Sequence, residues 1–350
     1  LCAVQLAILT INVDFKTQAK VSLVAQIFTG IVGVVMAYNG CGVWALAISQ
    51  AAASFIRTIL LWYFARWRPK GKWSSQSFNY LWHFGSKMML AGLIDCIYQN
   101  IYTVVIGKVY TKSELGYYTR AQNFAHLPTS NLYGIIRRVT FPVLSSIQND
   151  KVRMIETFRK IFKSSVFLIF PVMMCLAGSA TPLFSVLFTD KWLPAVPYFQ
   201  ILCFAMMWLP VDALNLNILT VNGRSDLFLR LEVTKKVFGV VILLLTLKAG
   251  TLFLCLGYAV YCIFEILIDT YYTGKLFNYG ICAQLKDIYP TMLICCAMFF
   301  ICYCVEIVTT SIPIVRLIIE WSLCVTIYLG LSKLFFSSTL NDTINFIKKK

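Results

Sequence analysis

Charge is scarce in this sequence: only 13% of its 350 residues are charged, and acidic residues (15) are half as common as basic ones (31). Soluble domains carry roughly 25% charged residues, so this composition excludes a soluble fold. Histidine is scarcer still, with His83 and His126 the two examples. No HExxH, P-loop or GxSxG is present, and no loop is long enough to fold as an aqueous enzyme domain. These gaps argue against an enzyme and against a bound cofactor or metal. Nucleic acid is excluded as a partner by placement: the net charge of +16 comes from residues that lie between apolar segments rather than in one basic patch. The thirteen cysteines lie mostly within apolar runs (Cys175, Cys203, Cys255, Cys295, Cys296), with no metal-ligand spacing to histidine, and read as small buried hydrophobes.

What remains is apolar. Hydrophobic residues make up 59% of the chain, with a mean hydropathy of +0.74. A hydrocarbon core about 30 Å thick needs roughly 20 helical residues to cross it, and the uncharged run from Ser164 to Thr189 is long enough. The pattern predicts a partial span over 1–12 and then full spans over 20–38, 43–64, 80–107, 115–146, 162–188, 196–221, 235–248, 251–273, 287–307 and 313–335. The fold class is therefore all-α, a polytopic transmembrane helix bundle.

Loop charges give the orientation. One set of alternate loops holds Lys16 and Lys20; Arg66, Arg68, Lys70 and Lys72; Lys151, Arg153, Arg159, Lys160 and Lys163; Arg224, Arg230, Lys235 and Lys236; Lys275 and Lys286; and Lys348, Lys349 and Lys350. The opposite set holds Lys108, Lys112, Arg120, Lys191 and Lys248. The positive-inside rule places the richer set, and with it the C-terminus, in the cytoplasm. The charged start of the 235–248 span is expected to continue its helix into the interface, where Arg and Lys snorkel. A weak internal repeat relates the segment starting at Asp14 to that starting at Asp226: a charged lead-in, an apolar span, a glycine turn and another span. A parallel duplication of this kind makes the unit six spans, from about Phe78 to Lys275 in its second copy. The first copy then lacks its opening spans, and the chain reads as truncated at its N-terminus.

Ionisable residues at mid-span cost about 2.5–3.5 kcal/mol each on insertion scales, so they usually face a cavity or a partner. Asp95 lies near the middle of the 80–107 span, with Lys87 two turns toward the cytoplasm and Gln99 and Asn100 just beyond. The next span carries Arg120 near its outer end and Arg137 and Arg138 deeper, interrupted by Pro128 and Pro142. Guanidinium groups bind diphosphate bidentately. Of two adjacent arginines, at most one faces a given cavity. Asp212 sits mid-span, and Glu265 and Asp269 are spaced i, i+4, where they suit either ion coupling or a salt bridge to a neighbouring helix. Arg316 and Glu320 are also i, i+4 and opposite in charge, a self-satisfied pair. His83 and His126 read as hydrogen-bonded structural residues.

Six short blocks carry a resemblance: DFKTQAK (14–20), GVWAL (42–46), GYYTRAQNFAHLP (116–128), RVTFPVLSSIQ (138–148), KWLPAVPYFQIL (191–202) and GRSDLFLRLE (223–232). In this order they resemble the bacterial polysaccharide-export flippases of the Wzx or PST type, in the multidrug/oligosaccharidyl-lipid/polysaccharide (MOP) superfamily. The resemblance implies two six-helix lobes plus two C-terminal helices around a V-shaped cationic cavity. It also implies transport of undecaprenyl-diphosphate-linked oligosaccharide across the bacterial inner membrane for O-antigen, exopolysaccharide or capsule export. On that pattern 1–64 is a remnant of the N-terminal lobe, 65–79 a basic linker, 80–275 the C-terminal lobe, and 276–350 two further helices with a basic tail. The expected partners are lipid-linked oligosaccharide, membrane lipids, and polymerase or export machinery. Lys87, Asp95, Arg120 and one of Arg137 or Arg138 become candidates for the diphosphate and sugar path, with Asp212, Glu265 and Asp269 as candidate ion-coupling groups. Two alternatives stand beside this reading. A cation-coupled multidrug antiporter of the same superfamily would rely on the carboxylates. A membrane glycan polymerase would need a long outside loop, and none exceeds about ten residues.

Overall fold

The apolar segments are helices in the computed structural model, which describes residues 2–11, 14–65, 74–222, 225–308 and 312–335. In chain order these are α1 (Ala3–Ile11), α2 (Phe15–Tyr38), α3 (Val43–Ala65), α4 (Ser75–Val109), α5 (Lys112–Ser146), α6 (Lys151–Gly178) and α7 (Ala180–Phe188). A 3₁₀ segment (Asp190–Ala195) leads into α8 (Val196–Met206), followed by α9 (Leu209–Val221), α10 (Ser225–Thr246), α11 (Thr251–Phe277), α12 (Ile281–Val308) and α13 (Pro313–Phe335). No strand occurs among the described residues. The basic stretches 66–73 and 336–350 lie outside them.

Seven of the ten expected full spans pass as long, apolar membrane-crossing helices, from Lys16–Tyr38 to Pro313–Lys333. The other three, α4, α5 and α10, are helices of sufficient length (35, 35 and 22 residues) that carry more polar side chains. In a bundle such polar side chains turn away from lipid, and these three supply much of the cavity and the Lys235 group described below. Two expected spans are broken. The 162–188 segment divides at Ser179, whose hydroxyl donates to Cys175 O (2.8 Å) and accepts from Trp321 Nε1 of α13 (3.0 Å). The 196–221 segment divides at Met207–Trp208, ahead of Pro210, which stands in the first turn of α9, where its missing N–H costs little.

The chain separates into two units, Leu1–Met88 and Met89–Lys350. In the first, Asp14 caps α2 by accepting from the Thr17 amide (3.0 Å) and hydroxyl (2.6 Å). Gly40 and Gly42, at φ +74° and +51°, turn the chain into α3, a conformation that side chains with a Cβ disfavour. Gly33 of α2 leaves room for Ser49 of α3, the small-residue contact by which membrane helices approach closely. Leu9, Val21 and Leu61 form the small core shared by α1, α2 and α3.

In the second unit α5 packs on α8 and α9, α6 on α12, and α11 on α8 and α10. Its core is aromatic, with Phe158, Phe162, Phe170, Phe184 and Phe199 fully buried. The α10–α11 connection repeats the helix, positive-φ glycine, helix arrangement of α2–α3, here with Gly250 at φ +111°. Tyr110, beside the α4–α5 turn, hydrogen-bonds Leu247 O and Gly250 N of the α10–α11 turn, so two turns of the lysine-poor set lie together.

Candidate functional site

On α10 the order Glu232, Lys235, Lys236, Gly239 puts two lysines one turn after a carboxylate. Lys235 does not snorkel outward as expected: its side chain is 1% exposed and turns inward. Its ammonium meets Asp212 of α9 at 2.7 Å, Asp269 of α11 at 3.0 Å and Glu232 at 3.1 Å. Glu232 also pairs with Lys236 (3.1 Å), whose ammonium lies 6.0 Å from the Tyr98 ring of α4. Glu265 stands one turn before Asp269 on α11, within electrostatic reach of Lys235 and beside Tyr261. Four carboxylates thus share two ammonium groups, and buried Asp269 Oδ1 meets no donor among the described residues. An ion pair removed from water is stable only when such groups are held in good geometry, and three helices converge to hold them.

Asp287 anchors a second ionic group. It accepts from Arg159 Nε, from Arg159 Nη2 (2.7 Å), from Lys163 (3.1 Å) and from the Tyr279 hydroxyl (2.8 Å). The turn that presents Tyr279 is tight: Asn278 adopts φ +56°, and a Cβ on Gly274 would lie 2.7 Å from the Gly280 Cα. Burial, and then the neighbouring Asp287 carboxylate, push the Tyr279 phenol well above its ordinary range. A reciprocal amide pair, Asn215 with Gln284 (3.1 and 2.8 Å), ties α9 to α12 beside this group.

Between α4, α5, the α8–α9 junction and α11 lies a cavity of about 310 Å³. Tyr98, Tyr102 and Tyr258 supply aromatic walls, Met206 and Leu209 an apolar floor, and Asn100, Gln122, Asn123 and His126 the polar groups. No Lys, Arg, Asp or Glu lines it among the described residues.

Of the residues singled out from sequence, Asp212 and Asp269 are brought together through Lys235, with Glu265 alongside. Arg120 is exposed in the N-terminal third of α5, its guanidinium 4.9 Å from the rings of both Phe188 and Trp192, and it is not among the residues that line the cavity. The side chains of Lys87, Asp95, Arg137 and Arg138 lie outside the described residues. Arg316 and Glu320 pair at 3.1 Å as expected, and Arg316 also reaches Glu306 of α12 at 3.1 Å. His126 has no side-chain partner among the described residues and borders the cavity, against the expectation of a hydrogen-bonded structural role. The inward turn of Lys235 and the cavity amides Gln122 and Asn123 escaped the sequence reading, which had singled out Asn100 beside Asp95. The available signal for Lys235 was that mid-span Asp212 and Asp269 both needed a cation.

A bundle of membrane-length helices that turns ionised and amide side chains inward defines a multi-pass membrane protein with a polar interior. Residues 1–197 match the family model described as polysaccharide biosynthesis protein, and the chain belongs to that family. It is 22% identical over 301 residues to the teichuronic acid biosynthesis protein TuaB of Bacillus subtilis, covering 85% of this chain and 62% of that protein. It is 27% identical over 198 residues to the lipopolysaccharide biosynthesis protein WzxC of Escherichia coli, covering 55% of this chain and 40% of that one. The chain therefore spans less than two thirds of the length of these relatives. Among solved structures it shares the fold of the lipid II flippase MurJ in an inward closed conformation, with a TM-score of 0.75 at 17% identity, over 97% of this chain and 71% of that one. The resemblance read from the six short blocks agrees with this family.

Proposed function

We propose that this protein moves a polyprenyl-diphosphate-linked oligosaccharide across the bacterial cytoplasmic membrane for polysaccharide export, as a transporter and not an enzyme. The observation that carries the reading is the cavity of amides and tyrosines enclosed by membrane-length helices, in a chain of a polysaccharide biosynthesis family. A polar interior replaces the hydration of a sugar head group while its polyprenyl tail stays in lipid. The MurJ-like fold supplies the frame in which such a path opens alternately to each side. In this reading the C-terminus is cytoplasmic, and 80–275 acts as one six-helix lobe, flanked by 1–64, the 65–79 linker and the helices of 276–350. Lys87, Asp95, Arg120 and one of Arg137 or Arg138 lie on the path of the diphosphate. Asp212, Glu265 and Asp269 serve ion coupling, and a polysaccharide polymerase receives the product.

A drug-antiporter reading would use the same carboxylates to bind an amphipathic cation. Lys235 pairs with Asp212 and Asp269 whichever cargo is carried, and the family favours the glycan reading. Expression in a strain lacking its own exopolysaccharide flippase is the test. Restored surface polymer, lost again on Lys87→Ala with the protein still in the membrane, is the expected result. Membrane-inserted protein with no surface polymer would overturn the proposal.

A further inference from the structure

We propose that the cavity of about 310 Å³ is a subsite for an uncharged sugar residue of the carried glycan. The inference rests on the glycan-carrier reading and adds what the site selects. Its polar side chains are available for a ligand. Asn100 donates to Cys96 O at 2.8 Å and keeps its carbonyl free, while Gln122 meets only the Thr103 hydroxyl, at 3.5 Å through its oxygen, and keeps its amide hydrogens. Asn123 is exposed with no side-chain partner among the described residues. In a membrane-spanning segment, unpaired amides are stable only against water or a ligand.

The chemistry on offer is that of a pyranose. Each primary amide presents a donor and an acceptor side by side, the complement of adjacent hydroxyls that each donate and accept. Tyr98 and Tyr258, half-buried at the cavity wall, present aromatic surface to the apolar faces of a sugar ring. None of the described side chains that line the cavity is charged, so these residues offer a uronate or phosphate no ion pair in return for its lost hydration. A subsite with this lining discriminates by charge against acidic sugars.

The test uses the full chain in lipid nanodiscs, titrated with farnesyl diphosphate, farnesyl diphosphoglucose and farnesyl diphosphoglucuronate. The two sugars differ only in a C6 carboxylate. Glucose is expected to tighten binding about tenfold over the bare diphosphate, and glucuronate not at all. Asn123→Ala and Gln122→Ala should each remove most of the glucose gain while leaving farnesyl diphosphate affinity unchanged, which also reports that the variants are folded. Three results overturn the subsite and leave the carrier reading standing: no gain from glucose, an equal gain from glucuronate, or variants that weaken all three probes alike. Failure of all three probes to bind the wild-type protein would overturn the carrier reading and the subsite together.

Discussion

Lys235 stands among carboxylates from α9, α10 and α11, whereas Asp287 stands among donors from α6 and the α11–α12 turn. The two groups invert one another. At Asp287 both carboxylate oxygens are bonded, and the cations that hold them reach water, Arg159 being 48% exposed. Excess positive charge costs little there, and the group acts as a clamp between α6 and α12. At Lys235 the excess is negative, deep in the bundle, and one Asp269 oxygen meets no donor among the described residues. Such a group is sensitive to any change in its charge, the property required of an ion-coupling site.

The largest effect should come from Lys235→Met, which leaves buried carboxylates uncompensated. A loss of about 3–5 kcal/mol is expected, read as a lower Tm of the purified protein, and a second change, Asp269→Asn, should recover part of it. Stability equal to wild type would mean that the carboxylates do not need the lysine. Asp287→Asn should cost less, about 2 kcal/mol, because its orphaned cations can turn to water. Raising salt should weaken the Asp287 clamp and spare the Lys235 group, as judged by comparing the Tm of each variant across KCl concentrations.

Tyr279→Phe removes one donor from Asp287 and should cost about 1 kcal/mol. The phenol titrates higher in the folded protein than in the unfolded chain. Its protonated form is therefore favoured by folding, and its contribution is complete below pH about 10 and lost as pH rises beyond that. The Tm difference between Tyr279→Phe and wild type should shrink on that alkaline limb. Glu306→Gln, at a half-buried pair whose Arg316 keeps Glu320 as a partner, should move stability by about 1 kcal/mol or less. A larger change there would place Arg316 with the buried group and not with the clamp.

Much of this was legible from the linear chain, because lipid imposes so simple a rule. Every apolar segment expected to span is helical, and the glycines that turn α2 into α3 stand where the turn signals put them. The breaks at Ser179 and Trp208 were not legible: hydropathy averages over a window, and a run such as 162–188 reads the same whether its backbone is continuous or divided. Asp212, Glu265 and Asp269 stood out because mid-span charge is expensive. Lys235 did not, since its position near a basic loop is equally consistent with a side chain that snorkels outward. The direction was decided by the rotation of α10 about its axis.

Hydrophobicity and loop charge alone, then, determined the helices, their order and the membrane class of this protein, because each of those depends on the transfer of one segment between water and lipid. Which polar side chains share a site was decided only by tertiary packing. Lys235 meets Asp212 and Asp269, and Gln122 comes to share a cavity with Tyr258, across separations in sequence that no local pattern encodes. Uncharged amides cost too little per residue to mark themselves in a sequence, and they acquire meaning when neighbouring helices leave them facing the same space.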